Sequence, residues 1–445
     1  MNEFLNKLMA AAKEAGVEAC EAYIVERDSF SATIKDGNVT DYNVNATRGL
    51  GFRGVKEGRM GYASTEAFDN EAVDQLVHGV VESAELSEDT DPVFLYDGKD
   101  EVPELDLTND ELAAIDPETK IERAIEMEKA VKAYDERIDK TARNMVRTGR
   151  HTVRIVNSYG MDRSFTEDMC LMIGQATAKE NGHVTSGFHG KAARSFDQLD
   201  AKQIGSDVAK SAVEHLGAVQ IPTGKYRAII HRGAMADLLQ TFCGVFSAET
   251  AQKGMSLLKG RIGEQIAADC VSIIDDPLLL EGLDARPFDA EGVPSRKNVV
   301  VEDGVFKTFL HNLKTAHKDG VETTGNASKA GYASAVHVSP SNFYIKGGEK
   351  SFDDLLAEMG DGVVITDVSG LHAGANPVSG DFSLLSKGYT VKNGKREKAI
   401  EQITAAGNFY ELLKNAKAIA NDLEFPFGGI GCPSIDVGEL SISGS

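Results

Sequence analysis

Three hairpin signals constrain the fold of this chain more than any other feature. They are Asp36-Gly37 within SFSATIKDGNVTDYNVNA, Asp303-Gly304 within KNVVVEDGVFKTFL and Asn393-Gly394 within FSLLSKGYTVKNGKREKAI. Two-residue hairpin turns need positive φ angles, which Asn, Asp and Gly adopt at little cost. Since strand-like residues flank each dipeptide, the sequence predicts antiparallel hairpins in both halves of the chain.

Helices are predicted between these strands where apolar residues recur at helical spacing or where a cap is present. Asp116-Pro117 is the clearest start, with Asp as the N-cap and Pro at the first helical position. The segment 151–190 instead predicts three or four strands, with turns at NSYG and ENGH. The predicted helices are an N-terminal one that ends at Gly16, then 70–86, 117–134, 200–216, 231–249, 351–358 and 407–421.

A boundary between two domains is predicted in GAVQIPTGKY, residues 217–226, where Gly and Pro lie between a helix and a strand. The predicted fold class is therefore α+β in two domains. Residues 1–220 form an N-terminal α+β domain with antiparallel strands, and residues 221–445 form a β-rich C-terminal domain.

Composition limits where the protein acts and what it contacts. Lys and Arg number 47 and Asp and Glu number 69, so the formal charge is −22. Nucleic-acid surfaces need clustered cations, so no direct nucleic-acid binding is expected. The five cysteines are scattered and never form CxxC, as is typical of reduced thiols. Without a signal peptide or a run of roughly 18 apolar residues, we expect a cytoplasmic protein with no membrane contact.

Common catalytic motifs are absent from the sequence. GLGFRG, residues 49–54, is followed by a turn and a strand rather than a helix, so it predicts glycines in a twisted hairpin. None of the ten histidines precedes a Glu, which excludes HExxH. His183 and His189, like His311 and His317, are spaced wrongly to chelate one metal locally. There is also no GxSxG elbow and no P-loop.

Three loops carry unusual residues. SGLHAGANPVSGDFSLLSKG, residues 369–388, is dense in Gly, Asn and Pro, which hold backbone groups in a fixed arrangement; a purely structural loop is the alternative. RPFDAEGVPSRKNVVVEDG contains Asp289 and Glu291, which suit acid–base chemistry. Because the chain is so acidic, however, we expect both carboxylates to be solvated in a loop. The third loop is ETTGNASKAGY.

Taken together, these loops resemble the TldD/PmbA family. The resemblance rests on GLHAGANPVSGDFSLLSKGYTVKNGK, FDAEGVPSRKNVVVEDGVFKTFLHNLKTA, TGNAS, AQKGMSLLKGRIGEQIA and GGIGCPSIDVGELSISG. In that family two related subunits form a metalloprotease that acts on peptides and unfolded segments. The TldD type carries HExxxH on a helix and a distant Cys as zinc ligands, and the PmbA type lacks them.

HRGAMADLLQTFCGVFSAE, residues 231–249, occupies the place of that metal helix. The resemblance sets the two histidine positions near Leu239 and Gly244, so the chain is identified as PmbA-like and metal-free. No catalytic residue, metal or cofactor is expected in this chain, and zinc is expected in a TldD-like partner. The stripe of Leu238, Leu239, Phe242 and Phe246 is predicted to be buried.

The resemblance implies a non-catalytic subunit that is inactive alone and shapes a peptide channel. Its partner is a TldD-like catalytic subunit or a second copy of itself, and its substrates are peptides in maturation and antitoxin-like unfolded chains. A stand-alone peptidase, a homodimeric peptide-binding module and a gyrase-associated regulator stay open as alternatives. The residues carried over as a peptide cleft are Asp289, Glu291, Gly325, Asn326, His372, Asn376 and Asp381.

Overall fold

A computed structural model describes residues 1–89 and 91–445 of the chain. The fold is α+β, with 39% strand and 26% helix, and the C-terminal half is sheet-rich, as the sequence predicts. Within the described residues, no helix combines the length and the apolar character needed to cross a membrane.

The N-terminal half is built on one six-stranded antiparallel sheet with the order β3-β2-β1-β4-β5-β6. Its strands are β1 (Ala19–Lys35), β2 (Asn38–Lys56), β3 (Arg59–Thr65), β4 (Ile138–Asn157), β5 (Asp162–Glu180) and β6 (His183–Ala193). Its helices are α1 (Asn2–Glu14), α2 (Asn70–Leu86), α3 (Asp110–Ala114), α4 (Pro117–Tyr134) and α5 (Ala201–Val213).

Local sequence signals explain most of these boundaries. Asp36 and Gly37 join β1 to β2 with φ angles of 52° and 74°, the pair of positive values that a tight hairpin turn requires. Asp116 caps α4 by accepting a hydrogen bond from the backbone N–H of Thr119 at 2.8 Å. GLGFRG lies within β2 rather than in a nucleotide loop, as predicted. A Cβ on Gly51 would lie 1.8 Å from the carbonyl oxygen of Tyr332, so close backbone contact requires that glycine.

The two faces of the N-terminal sheet have different neighbours because side chains alternate along a strand. Ala22 and Ile24 of β1 pack with the apolar residues of α1 and α2. Tyr23 and Val25 point the other way and pack against Phe288 and neighbouring residues of the C-terminal half. The contact between the two halves therefore lies on the sheet face opposite the helices.

The C-terminal half contains three sheets. Its strands are β7 (Gly224–Ile230), β8 (Ile273–Asp275), β9 (Asn298–Glu302), β10 (Val305–Phe306), β11 (Ala327–Ser328), β12 (His337–Val338), β13 (Phe343–Ile345), β14 (Gly362–Ser369), β15 (Asp381–Lys392), β16 (Lys395–Asn408), β17 (Ala418–Ile419), β18 (Ile430–Gly431) and β19 (Ile435–Ser443). Its helices are α6 (Arg232–Phe242), α7 (Ala248–Gln252), α8 (Leu313–Asp319), α9 (Phe352–Met359), α10 (Leu371–Gly374) and α11 (Phe409–Asn415).

One of these sheets closes on itself. Its order is β16-β15-β14-β7-β19-β17, and β16 also pairs with β19 through residues 404–406. The other sheets are β10-β9-β8-β13-β18 and the pair β11-β12. The helix α6 packs against both larger sheets within the main hydrophobic core of this half. The division predicted at residues 220 and 221 falls between α5 and β7 and stays a prediction.

Two predicted helices are too long. The segment 231–249 leaves α-helical geometry after Phe242, because the backbone around Ser247 bonds to Leu310 instead: the N–H of Leu310 donates to Phe246 O at 2.9 Å and that of Ala248 to Leu310 O at 3.0 Å. The segment 407–421 ends its helix at Asn415, since Ala418 and the next residue pair with β19. In both places a distant strand or loop takes the hydrogen bonds that a helix would use.

Candidate functional site

The contact between the two halves combines an apolar layer with buried charge. Phe165 of β5 and Phe288 meet edge to face, with ring centroids 5.2 Å apart. Val153 and Ile155 of β4 join the same apolar cluster. Two cavities open beside this layer, and each is lined by residues from both halves of the chain.

The larger cavity, which we call the interdomain cavity, has a volume of about 140 Å³. Apolar rings and aliphatic groups form part of its wall, and the remainder is polar or charged. Its polar lining residues are Tyr23, His151, Glu167, Asp284, Arg286, Asp289, Ser328 and Lys329.

Asp289 fixes the loop that forms one wall of this cavity. Its Oδ1 accepts hydrogen bonds from the backbone N–H groups of Glu291 at 2.9 Å and Val293 at 3.0 Å, and its Oδ2 accepts one from Ala327 N–H at 2.9 Å. Burial raises the pKa of Asp289 to about 7, with the neighbouring charge of Glu291 acting in the same direction. The expectation of a solvated carboxylate is wrong here, because docking of the N-terminal sheet covers the loop.

Glu291 belongs to a buried charged triad with Glu21 and Arg53. Arg53 Nε donates to Glu21 Oε1 at 2.8 Å, and Arg53 Nη1 lies 3.4 Å from Glu291 Oε1. The other oxygen of Glu291 accepts the backbone N–H of Leu313 at 2.9 Å, at the first residue of α8. Burial raises the pKa of Glu291, although Arg53 opposes the shift. Glu291 is therefore not solvated either, and it ties the C-terminal half to β1 and β2.

Gly325 and Asn326 directly precede Ala327, whose backbone N–H donates to Asp289. Asn326 is fully buried, and its Nδ2 donates to Asp275 Oδ2 at 2.7 Å. Asp275 also accepts the backbone N–H and the hydroxyl of Ser341. Gly325 adopts a φ of 74°, which turns the chain toward Ala327, the donor to Asp289. Neither Gly325 nor Asn326 lines the interdomain cavity.

His372, Asn376 and Asp381 form a separate, exposed group at the start of β15. The Asn376 Oδ1 accepts hydrogen bonds from the backbone N–H groups of Val378 and Ser379. Asp381 accepts hydrogen bonds from Ser379 Oγ and Asn408 Nδ2 at 2.8 and 2.9 Å, and these bonds lower its pKa, that to Asn408 most strongly. Over residues 1–89 and 91–445, no hydrogen bond or ion pair joins this group to Asp289 or Glu291.

The sequence-based prediction of the site does not include two basic residues that line the interdomain cavity, Arg286 and Lys329. Arg286 lies two residues before Phe288, the first residue of FDAEG, and its Nε and Nη2 are buried with no hydrogen-bond partner among the described residues. Lys329 follows TGNAS, and its ammonium nitrogen lies 4.6 Å from the ring centroid of Tyr23. Burial, aided by the charge of Arg53, lowers the pKa of Lys329 to about 8. Adjacency to two recognised motifs is the signal that could have found both residues.

The predicted stripe on α6, which continues past the end of the helix to Phe246, is buried. Leu239 and Phe242 are 0% exposed, and Leu238 and Phe246 are 1% exposed. Phe242 stacks on Phe409 with ring centroids 4.8 Å apart. This helix face is therefore part of the core.

Models of one protein family match this chain along most of its length. Models of the PmbA/TldA metallopeptidase family match domain 1 at residues 20–84, the central domain at 110–216 and the C-terminal domain at 223–444. Metalloprotease PmbA of Escherichia coli O157:H7 is 26% identical, over 98% of this chain and 94% of its own length. An uncharacterized protein of Methanocaldococcus jannaschii is 31% identical, over 94% of this chain and 95% of its own length.

Solved structures share the same fold. A crystal structure from Thermotoga maritima, named for modulation of a DNA gyrase, has a TM-score of 0.93 and 34% identity, over 99% of this chain and 100% of that one. TldE from Thermococcus kodakarensis has a TM-score of 0.90 over 99% and 100% of the two chains, and its 23% identity shows the fold alone. The fold and these matches together define a metallopeptidase-like protein. The chain belongs to the PmbA/TldD family.

Proposed function

We propose that this chain is the metal-free, non-catalytic subunit of a zinc-dependent peptidase and that a TldD-like subunit supplies the zinc. The packing of α6 carries this proposal. Catalytic zinc needs about three donor side chains, commonly His, Glu or Cys. Leu239 and Gly244, near the positions where the resemblance expects histidines, have no donor atoms, and Leu239 is fully buried. The residues of this helix do not fit a zinc ion.

A second observation supports the same proposal. Across residues 1–89 and 91–445, no three His, Cys, Asp or Glu side chains are grouped closely enough to hold a metal ion together. A chain with this arrangement would contribute to peptide cleavage through binding and positioning rather than through a polarised water.

The substrates in this proposal are peptides in maturation and unfolded segments of antitoxin-like chains in the cytoplasm. Extended peptides can pair with a strand edge through main-chain hydrogen bonds, which tolerates many sequences. One edge suits this role: β3 covers β2 only from Leu50 to Lys56, and residues 38–48 of β2 are exposed. The interdomain cavity adds a second surface where a peptide group can be held.

A gyrase-associated role is the second candidate, favoured by the name of the Thermotoga maritima structure. The formal charge of −22 opposes direct contact with DNA but not contact with a protein. A homodimer without an enzyme partner is the third arrangement. Co-purification of the tagged chain with a TldD-like subunit, with gyrase or with itself would separate the three.

Cleavage of an unfolded peptide tests the main proposal. This chain, a TldD-like subunit and their mixture are assayed separately, with zinc measured in each preparation. We expect cleavage and zinc only where the TldD-like subunit is present, and faster cleavage in the mixture. A mixture whose partner carries Gln in place of the HExxxH glutamate is the matched control and should be inactive. Chelator-insensitive cleavage by this chain alone would overturn the proposal.

A further inference from the structure

Within the part of the chain that the structure describes, the guanidinium group of Arg286 has two buried nitrogens without a hydrogen-bond partner, whereas Arg53 and Arg194 have one each. Acidic side chains outnumber basic ones by 69 to 47, so carboxylate partners are abundant. Arg286 nevertheless has both Nε and Nη2 buried without a hydrogen-bond partner among the described residues. Buried N–H groups normally have partners, because leaving one unpaired costs free energy. An unpaired guanidinium in a cavity wall therefore points to a ligand.

The chemistry of that ligand follows from the two nitrogens involved. Nε and Nη2 form the side of a guanidinium that binds both oxygens of a carboxylate at once. Elsewhere in this chain the same two nitrogens do so: Arg154 binds Asp162 at 2.8 and 2.7 Å, and Arg150 binds Asp168 at 2.9 and 2.7 Å. Arg286 presents the same fork in the interdomain cavity.

Among the described residues, the acidic residues of the cavity form no hydrogen bond with this fork, although the charge of Arg286 acts to lower the pKa of both Asp284 and Asp289. Asp289 already accepts three backbone N–H groups. Glu167 lies 3.2 Å from His151 Nδ1 and 3.6 Å from Arg194 Nη1. Neither these carboxylates nor Asp284, at the exposed rim, forms an ion pair with Arg286 within the described residues. The ammonium group of Lys329 adds a second positive charge to the cavity wall.

The size of the cavity limits the ligand. A volume of about 140 Å³ is several times the roughly 10–15 Å³ that one water molecule needs. That space holds a carboxylate with a few carbon atoms, and Tyr23, Val153 and Phe288 supply apolar walls for those carbons.

We propose that the interdomain cavity binds a carboxylate group of a peptide, held by the fork of Arg286 and the ammonium group of Lys329. The identity of the ligand as a peptide rests on the function proposed above, whereas the carboxylate chemistry rests on the cavity alone. The group is either the C-terminal carboxylate or the side chain of an Asp or Glu residue.

Calorimetric titration of the full-length chain, without any partner, tests this proposal. The probes are acetyl-trialanine as the free acid, its C-terminal amide and an amidated peptide with one internal Glu. We expect the free acid or the Glu peptide to bind at least about tenfold more tightly than the amide without Glu. The preferred probe identifies which carboxylate the cavity takes.

Substitutions test whether the preferred probe binds in the interdomain cavity. Arg286→Gln and Arg286→Lys should each weaken binding of the preferred probe about tenfold, because Lys keeps the charge but not the fork. Lys329→Gln should weaken it several-fold, and Arg147→Gln, at an exposed arginine of β4, should leave it unchanged. Thermal denaturation checks that each variant is folded.

Equal affinity for the acid, the Glu peptide and the amide would overturn the proposal, and so would unchanged affinity in folded Arg286→Gln. If that variant does not fold, the comparison of acid, Glu peptide and amide on the unmodified chain still decides the question. The assay involves no cleavage and no partner, so failure of the proposed peptidase role would not be confused with failure of this site.

Discussion

The core around α6 and the contact between the two halves are both buried but differ in chemistry. Around α6 the enclosed side chains are apolar, and Phe242 stacks on Phe409. At the contact between the halves, Glu21, Arg53 and Glu291 are each at most 5% exposed. Apolar packing depends on shape and volume, whereas buried charges depend on every partner being present. The first region is suited to stability and the second to fixing the position of one half against the other.

The largest effect is expected from placing a charge in the apolar region. Leu239→Asp should lower the free energy of unfolding by about 5 kcal/mol, since it buries an unpaired carboxylate and removes core contacts. Gln240→Asp, at the exposed neighbouring position, should change it by less than about 0.5 kcal/mol. Urea denaturation measures both. Equal midpoints for the two variants would show that the α6 face is not a tightly packed core.

The converse change removes charge from the contact between the halves. Arg53→Met should cost about 3 kcal/mol, because Glu21 and Glu291 then lack a buried counter-charge. Adding Glu21→Gln and Glu291→Gln to that variant should restore at least half of the loss, since none of the three triad charges then remains buried. Denaturation of the single and triple variants measures this recovery. A triple variant as unstable as the single one would mean that the triad acts through packing rather than charge.

The same contrast explains what the sequence could predict. The turns at Asp36-Gly37, Asp303-Gly304 and Asn393-Gly394 are determined by neighbouring residues, and the structure contains all three hairpins. The apolar stripe of α6 is also a local pattern. The ends of the helices after Phe242 and Asn415 were not predictable, because Leu310 and β19 determine them from elsewhere in the chain.

The candidate site was predicted less completely. Motif resemblance led to Asp289 and Glu291 as cleft residues. The acidic composition predicted that both are solvated, since nothing local shows that a distant sheet covers their loop. Arg286 and Lys329 gave no signal of their own, because an arginine or lysine in a loop is normally exposed. Their role depends on β1 and β4, which contribute Tyr23 and His151 to the cavity.

A pH series tests the electrostatics of the charged region. The folded-state pKa of Asp289, about 7, lies above the ordinary value near 4, so the folded protein holds this proton more tightly than the unfolded chain. Stability from this group is present below pH 4 and is lost as the pH rises toward 7. Asp289→Asn should remove about 3 kcal/mol of the loss of stability that occurs between pH 4.5 and 7.5. Asp381→Asn is the matched control, because the pKa of Asp381 is lowered and its contribution has the opposite sign.

The smallest expected effect is on the affinity for a carboxylate ligand, which depends on the charge of the buried Lys329. Because burial lowers the pKa of Lys329 to about 8, its ammonium form is present below that pH and is lost above it. Arg53 stays protonated throughout, and burial holds the pKa of Tyr23 near 12, so neither changes charge between pH 7 and 9. Asp289, with a pKa of about 7, becomes fully charged over the same range, and its contribution remains in Lys329→Gln. The affinity for a carboxylate should therefore fall about three- to tenfold between pH 7 and 9. Calorimetric titration of the unmodified chain and of Lys329→Gln measures this change, and a fall of equal size in both would assign it to another group.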